Sequence, residues 1–541
     1  METEMTHRQA QLETYSVTAE QMRQIESRIF AAGMPVAALM EKVAGLIVQR
    51  VEQLLRSAHE SGRRVGILVG PGHNGGDALV VARELWLKGH KVMIYHPFSK
   101  RKPLTESHGN YVRSLGVPWQ TSVEKLVRWT EDCDYLIDGL FGFGLARPIE
   151  GDLAAAIAAL NQTNRPIISL DLPSGIHTDT GQVLGAAIKA THTLCLGLWK
   201  QAFVQEAALA YMGNAQLIDF GIPLADIQAV LGTPRVQRLT PPRALKGLPL
   251  YRSATAHKYQ AGQLLLIAGS RQYAGAALLA GQGAVASGVG MLTLMVPDSL
   301  RLWLVGQLPG ALVVGCTEGP QGEITALPAD IRLNQYDVIA CGPGLTQQAT
   351  AAVAAVLNSD RLLILDADGL NILATRSPRE TLNHRSAPTA ITPHPGEFRR
   401  LFPEISATDT GLAAQQAAEL SGATVVLKGA RSAISSPQGQ LWMNTIGTPA
   451  LARGGSGDVL TGLLGGIAAQ KVAGQEPEHW PQALTEAALG SVWWHAQTGV
   501  QLASQRSILG VDPTTLAKGL DKVIGAYAVK DQRRYTRYRK A

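Results

Sequence analysis

Hydrophobic residues along the chain recur with two periods, and the order in which those periods alternate predicts the elements. Met22, Ile25 and Ile29 repeat at helical spacing behind Thr18 and Gln21, a capping-box pair. After Pro35, the residues Val36, Leu39, Met40, Val43 and Ile47 mark a second amphipathic helix. Residues 65–70, VGILVG, are a short apolar run of strand type that opens into PGHNGGDA. A helix over about 79–87 and a strand over 91–95 complete a β-α-β unit. Two more strands begin YLIDGLFGFGLARP (135–148) and PIISLDLPSG (166–175), and each ends in a loop marked by glycine or proline.

After Phe220 the periodicity lapses, and residues 232–249, GTPRVQRLTPPRALKGLP, read as a junction rich in proline and basic residues. A new β-α pattern then starts: a strand over 263–268, a loop over 269–275 and a helix over 276–287. Further strands are expected at 336–340, leading to CGPGL, and at 362–371, LLILDADGLN, ending on two aspartates. AITPHPGEF and ATVVLKGARS supply two more strand-end loops, and residues 452–461, ARGGSGDVLT, run into an apolar helix. Strands alternating with helices predict an α/β chain whose first half is a doubly wound, mostly parallel sheet with ligands at the strands' carboxyl ends. The expected layout is a first domain over 1–228, a linker over 229–249, a second domain over 250–530 and a basic tail over 531–541.

Composition changes this picture little. A chain of 541 residues is too long for one core, and its apolar, glycine-rich make-up with modest charge is that of globular α/β enzymes. Cys133, Cys195, Cys316 and Cys341 are scattered without CxxC or Cys/His spacing, which fits a reducing compartment and argues against zinc. Glu2, Glu4 and Glu13 interrupt any export signal, so a cytoplasmic setting is expected. The charge-poor run 276–296 has the length of a membrane span, but Gln282, Ser287 and its glycines fit a buried helix and strand better, so no membrane partner is expected. The net charge of +6 owes much to Lys530, Arg533, Arg534, Arg537, Arg539 and Lys540, interleaved with Tyr535 and Tyr538. That tail reads as a solvated, frayed terminus rather than a nucleic-acid site. The expected assembly is a homo-oligomer.

Chemistry concentrates in the strand-end loops. Asn74, Asp77, Asp138, Asp171 and Ser174 are small oxygen-bearing residues of the kind that ligate hard cations or move protons, and no histidine pair at metal spacing accompanies them. In the second half, Gly454, Gly455 and Gly457 surround Ser456 at a helix start, a turn whose free N–H groups suit a phosphate. Asp458 beside a phosphate is electrostatically anomalous unless a metal or a proton in transit lies between them, and the alternative is a plain helix cap. In the phosphoryl-transfer reading Asp458 is the general base for an attacking hydroxyl and the amides of 455–457 stabilise developing charge.

GPGHNGGDALVVARELWLKG, IDGLFGFGLARPI and SLDLPSGI resemble the signatures of the YjeF N-terminal domain, the epimerase for hydrated NADH and NADPH. The resemblance implies substrate contacts at His73, Asn74, Gly75, Gly76, Asp77, Gly142, Phe143, Gly144, Leu145, Ala146, Arg147, Pro148 and Asp171, and a potassium ion on Asn74, Asp138 and Ser174. Asp171 is the expected acid/base. His73 stands where the family often has Asn, and Ala78 where it often has Gly. The order GPGL, DADGLN, HPGE, KG and GGSGD resembles the carbohydrate-kinase-like domain of the ADP- or ATP-dependent NAD(P)H-hydrate dehydratases, which implies a ribokinase-like second domain beside a Rossmann-like first one. It places the hydrate on Ala276, Gly344, His394 and Asp458, and the adenine nucleotide on Lys428, Gly429, Ala430, Arg431, Ser432 and Gly457. Asp366, Asp368 and Glu397 are possible helpers, and Thr346 departs from the frequent GPGLG ending. The fusion as a whole is similar to the bifunctional NAD(P)H-hydrate repair family, with NADHX, NADPHX and ADP as partners, K+ in the first site and Mg2+ with ADP in the second. Two other readings stay open: a vitamin or sugar kinase of ribokinase type fused to an accessory domain, and a non-catalytic N-terminal scaffold.

Overall fold

A computed structural model describes residues 7–55 and 62–538, and the chain divides into two compact units, Met1–Pro234 and Arg235–Ala541. In the first, seven strands form one sheet: β1 (Arg64–Val69), β2 (Lys91–Tyr95), β3 (Trp119–Gln120), β4 (Tyr135–Gly139), β5 (Ile167–Leu170), β6 (His192–Leu196) and β7 (Asn214–Ile218). Their order is β3-β2-β1-β4-β5-β6-β7, with every neighbouring pair parallel. The two-residue alternation of a strand explains why both faces are covered. Val65, Ile67 and Val69 enter a core with the helices Val36–Leu55 and His73–Leu87, while Leu68 enters another with the helix Gly151–Gln162. The capping box at Thr18 is formed, with its side chain accepting from Gln21 N and the Gln21 side chain accepting from Thr18 N.

The helix expected from 79 starts at His73, so Asn74 and Asp77 stand on its first turns rather than in a loop. Glycine makes this early start feasible, because a Cβ on Gly75 would lie 2.0 Å from the Gly70 carbonyl oxygen.

The second unit holds eleven strands: β8 (Val236–Arg238), β9 (Gln263–Ile267), β10 (Met291–Pro297), β11 (Leu312–Glu318), β12 (Ile324–Ala326), β13 (Val338–Cys341), β14 (Leu362–Leu365), β15 (Thr389–Ile391), β16 (Thr424–Leu427), β17 (Ser432–Ser435) and β18 (Leu441–Asn444). They run in the order β8-β18-β17-β16-β15-β14-β13-β9-β10-β11-β12, with parallel pairing from β16 through β11 and antiparallel β11/β12, β16/β17 and β17/β18. The long apolar run is a helix, Ala274–Ala286, followed by β10. No single described helix is long and apolar enough to cross a membrane. Small residues let that helix lie backbone to backbone with Ser456–Val472: a Cβ on Gly462 would sit 1.7 Å from the Ala280 carbonyl oxygen.

Three further segments differ from the sequence reading. Most of the expected linker belongs to the second unit, where β8 pairs in parallel with β18 and the helix Pro241–Lys246 buries Ala244. A three-residue edge strand and a helix whose first turn holds two prolines are too short to show a period. The 362–371 strand stops at Leu365, because Asp366 accepts a hydrogen bond from Ala367 N and caps the helix Ala367–Ala374. The backbone of the expected tail continues the helix Pro513–Tyr538, and the basic side chains from Lys530 onward lie outside the described residues.

Candidate functional sites

In the first unit the three polar loops converge as their place at parallel strand ends requires. The Phe141 N–H donates to Ser174 Oγ (2.9 Å), the Phe143 N–H donates to Asp171 Oδ2 (2.9 Å), and a Cβ on Gly142 would lie 3.4 Å from Asn74 Cγ. Together they line a cavity of about 650 Å³ whose lining includes 71–74, Asp77, 140–147 and Asp171. Pro148, Gly75, Gly76, Asp138 and Ser174 support this wall without lining it.

Asp171 is nearly buried and holds a left-handed backbone, φ 66°, a conformation Asp tolerates better than most residues and one that collects at functional sites. Its Oδ1 is ion-paired to Lys200, a lysine with no solvent exposure. Burial is the largest single influence and opposes the Lys200 charge, but Asp171, Cys195 and Glu26 together raise the ammonium above its ordinary value. Two further carboxyls face the same space. Burial, reinforced by Asp171 and Glu26, holds Asp77 well above the usual carboxylate range. Glu26, on the helix Ala19–Ala31, is pushed up to about 7 by burial, with Lys200 opposing and Asp171 adding.

Asp138 is completely buried and accepts from Ser169 Oγ (2.8 Å), Ser174 N (2.9 Å), Ser174 Oγ (2.6 Å) and Leu140 N (3.2 Å). Only dipoles answer its charge among the described residues. Nearby, Asn74 leaves both Oδ1 and Nδ2 buried without a partner. One carboxylate, an orphaned amide and a hydroxyl form an oxygen set suited to a large hard cation and unsuited to a transition metal.

The second unit gathers its motifs around Lys428. The Lys428 ammonium donates to Asp366 Oδ1 (2.7 Å), Thr461 Oγ1 donates to Asp366 Oδ2 (2.5 Å), and a Cβ on Gly457 would lie 3.5 Å from Lys428 Nζ. Gly455, φ 95°, turns the chain into the helix Ser456–Val472, whose first turn carries Asp458. Burial, with Asp366, Asp368 and Glu397 adding and Lys428 opposing, pushes Asp458 up to about 7. Glu397 is also raised, by burial first. On the far side of this centre, Gly344 packs on Ala276 and Tyr273, and Thr346 N donates to Asp368 Oδ2 (2.9 Å). Thr346 has φ 67°, which gives a physical reason for the glycine usual there, and its Oγ1 is buried without a partner.

His394 caps the helix Pro395–Leu401: its Nδ1 accepts from Gly396 N (2.9 Å) and Glu397 N (3.3 Å), leaving Nε2 facing Glu397 Oε1 at 3.4 Å. Its ring is thus engaged in shaping the site. Residues 428–431 form the turn between β16 and β17, in which Ser432 Oγ bonds Gly429 and Arg431 bonds the Thr445 carbonyl. Lys428 and Gly457 meet there.

Sequence reasoning missed Lys200 and Glu26. Lys200 follows β6 at the end of LCLGLWK, a run that reads as a buried strand, and a lone lysine in such a run was the available signal. Glu26 lies between Ile25 and Ile29 on an ordinary amphipathic helix and carried none.

Comparison with known proteins agrees with this division. Residues 36–202 match the model of the YjeF-related protein N-terminus, and residues 264–522 match that of NAD(P)H-hydrate dehydratase. The bifunctional NAD(P)H-hydrate repair enzyme Nnr of Synechocystis is 49% identical over 93% of this chain and 94% of its own. That of Moorella thermoacetica is 33% identical over 91% and 93%. A crystal structure of the ADP/ATP-dependent NAD(P)H-hydrate dehydratase from Bacillus subtilis, co-crystallised with ATP/Mg2+, is 33% identical and covers 54% of this chain and 98% of its own, with a TM-score of 0.46. With an acid-lined site at the strand ends of each unit and relatives matched along nearly its whole length, the chain belongs to the bifunctional NAD(P)H-hydrate repair family.

Proposed function

We propose that the first unit interconverts the R and S hydrates of NADH and NADPH, and that the second restores the dihydronicotinamide from the S hydrate using ADP, with AMP and phosphate as products. What carries the reading is the presence of two separate acid centres, each at the carboxyl ends of its own parallel sheet, in a chain of this family. The hydrate bears a hydroxyl on the carbon next to the ring nitrogen. Protonating that hydroxyl releases water, and a base-activated water returning on the other face inverts the centre. Asp77 and Glu26, both raised first by burial, serve as the acids, and Asp171, fixed by Lys200 and the Phe143 amide, serves as the base. A potassium ion on Asn74, Asp138 and Ser174 would answer the buried Asp138 charge and balance the acids against a dinucleotide's phosphates.

In the second unit Asp458 takes the proton of the substrate hydroxyl as that oxygen attacks the terminal phosphoryl and AMP leaves, the turn 455–457 offering amides to the transferred group; loss of phosphate from that carbon and of a proton from its neighbour then restores the ring double bond. Lys428 lies beside Gly457, where it offsets phosphate charge. Asp366, Asp368 and Glu397 add their charges to that of Asp458, with Lys428 opposing, but no three acidic side chains among the described residues stand close enough to hold a metal ion by themselves, so magnesium would come with the nucleotide's phosphates. Bound there with the nucleotide, the metal would neutralise the phosphates. Remaining nucleotide contacts fall on Gly429 to Ser432 and hydrate contacts on Ala276, Gly344 and His394. The proposed setting is the cytoplasm.

The test is incubation of mixed R and S hydrates of NADH with ADP and Mg2+, following the dihydronicotinamide absorbance. Full recovery is expected from the intact chain, and recovery of only the S fraction from Asp171→Ala. No recovery, with phosphate passed instead to a pyridoxine-like alcohol, would overturn the reading in favour of a kinase.

A further inference from the structure

The wall of the first-unit cavity carries charges of both signs. The acids Glu26, Asp77 and Asp171 lie together with Lys200, whereas Arg23, Lys102 and Arg147 bring cations to the same cavity. Lys102 is the unexplained member. It is exposed, its side chain makes no hydrogen bond or ion pair among the described residues, and its charge reaches both His73 and Glu26. Its backbone is fixed, since Lys102 N donates to the Pro71 carbonyl (2.9 Å) and so ties the segment after β2 to the turn after β1.

Strand order gives that position a meaning. In a sheet ordered β3-β2-β1-β4-β5-β6, a dinucleotide lies across the switch point between β1 and β4, with its pyrophosphate at the turn after β1. The segment after β2 then meets the adenosine ribose. An acid there hydrogen-bonds a free 2′-hydroxyl and repels a 2′-phosphate, whereas a cation accepts the phosphate. Residues 96–105, HPFSKRKPLT, contain no carboxylate and three cations. Arg101 is committed to the interior, donating to His96 Nε2 (2.6 Å) and Glu106 (2.8 Å), while His96 is held on the Val69 carbonyl (2.8 Å). Lys100 and Lys102 remain exposed, and of the two Lys102 lines the cavity.

Resting on the epimerase reading, we propose that Lys102, with Lys100 beside it, is the specificity-determining residue for the 2′-phosphate of hydrated NADPH. The dinucleotide lies with its adenosine end over β2 and its hydroxylated ring toward Asp171.

Epimerase kinetics of the full chain on the purified R hydrates of NADPH and NADH, with the epimers separated chromatographically, test this in wild type, Lys102→Ala and Lys102→Glu. The ratio of KM for the NADPH hydrate to KM for the NADH hydrate should rise about tenfold in Lys102→Ala, the size of one charge-assisted hydrogen bond, and further in Lys102→Glu, with no change in the ratio of kcat values. Equal effects on both substrates, or no effect on either, would overturn the proposal. If wild type turns over neither hydrate, the epimerase reading fails by itself, and calorimetric binding of NADP+ against NAD+ decides. Loss of discrimination in Lys102→Ala supports the assignment, and wild type without any discrimination refutes it.

Discussion

Asp458 offers the sharpest test of the second site, because its chemistry and its ionisation are tied together. The carboxyl is pushed from 3.8 to about 7, first by burial and then by Asp366, Asp368 and Glu397, with Lys428 opposing. A base must be ionised to work. With a midpoint near 7, about a tenth of the enzyme is competent at about pH 6 and about nine-tenths at about pH 8, so single-turnover dehydration of the S hydrate should rise roughly ninefold across that range. A carboxylate with an ordinary value would give a flat profile there. Asp458→Asn should lower the rate by about 10²- to 10⁴-fold and abolish the slope. Stability moves the opposite way. The folded state binds this proton more tightly than the unfolded one, so the group's contribution is complete below about pH 4 and is lost as pH rises toward about 7. The full shift corresponds to about 4 kcal/mol, which solvent at the open wall reduces to about 2. Asp458→Asn should therefore be more stable than wild type at about pH 8 and equal to it near pH 4 by denaturant titration. A flat wild-type rate profile between about pH 6 and 8, or an Asn variant keeping a tenth of the activity, would refute the assignment of the base.

Removing Lys200 leaves Asp171 buried with its charge unanswered, so Lys200→Met should cost about 3–5 kcal/mol in the first unit and end epimerisation while dehydration continues. The double variant Lys200→Met/Asp171→Asn should recover most of that stability without recovering activity, a split that denaturant titration and epimer analysis read separately. Epimerisation should depend on potassium, with lithium failing to replace it, and Asn74→Leu should remove the dependence. A rate indifferent to the cation would count against an ion at Asp138.

Much of the layout of the candidate sites was legible because it is local. A strand's period, a glycine turn and a polar residue at the strand's end lie within a few positions of one another, so Asn74, Asp138 and Asp171, and likewise Lys428 and Asp458, could be marked before any fold was known. Boundaries were less so: β8 and the helix Pro241–Lys246 are short and proline-marked, and only pairing with β18 and packing of Ala244 reveal them as part of the second unit.

The sequence by itself determined two α/β units, the strand ends that carry chemistry and the family. Tertiary structure decided the electrical state of those ends. Lys200 reaches Asp171 from 29 positions away, and Lys428 reaches Asp366 from 62. A carboxyl's affinity for its proton depends on the water it loses and the charges brought near it, and both are properties of packing between distant segments. Asp458 and Glu26 are ordinary acids in the sequence; folding alone moves them to about 7, where an enzyme can use them.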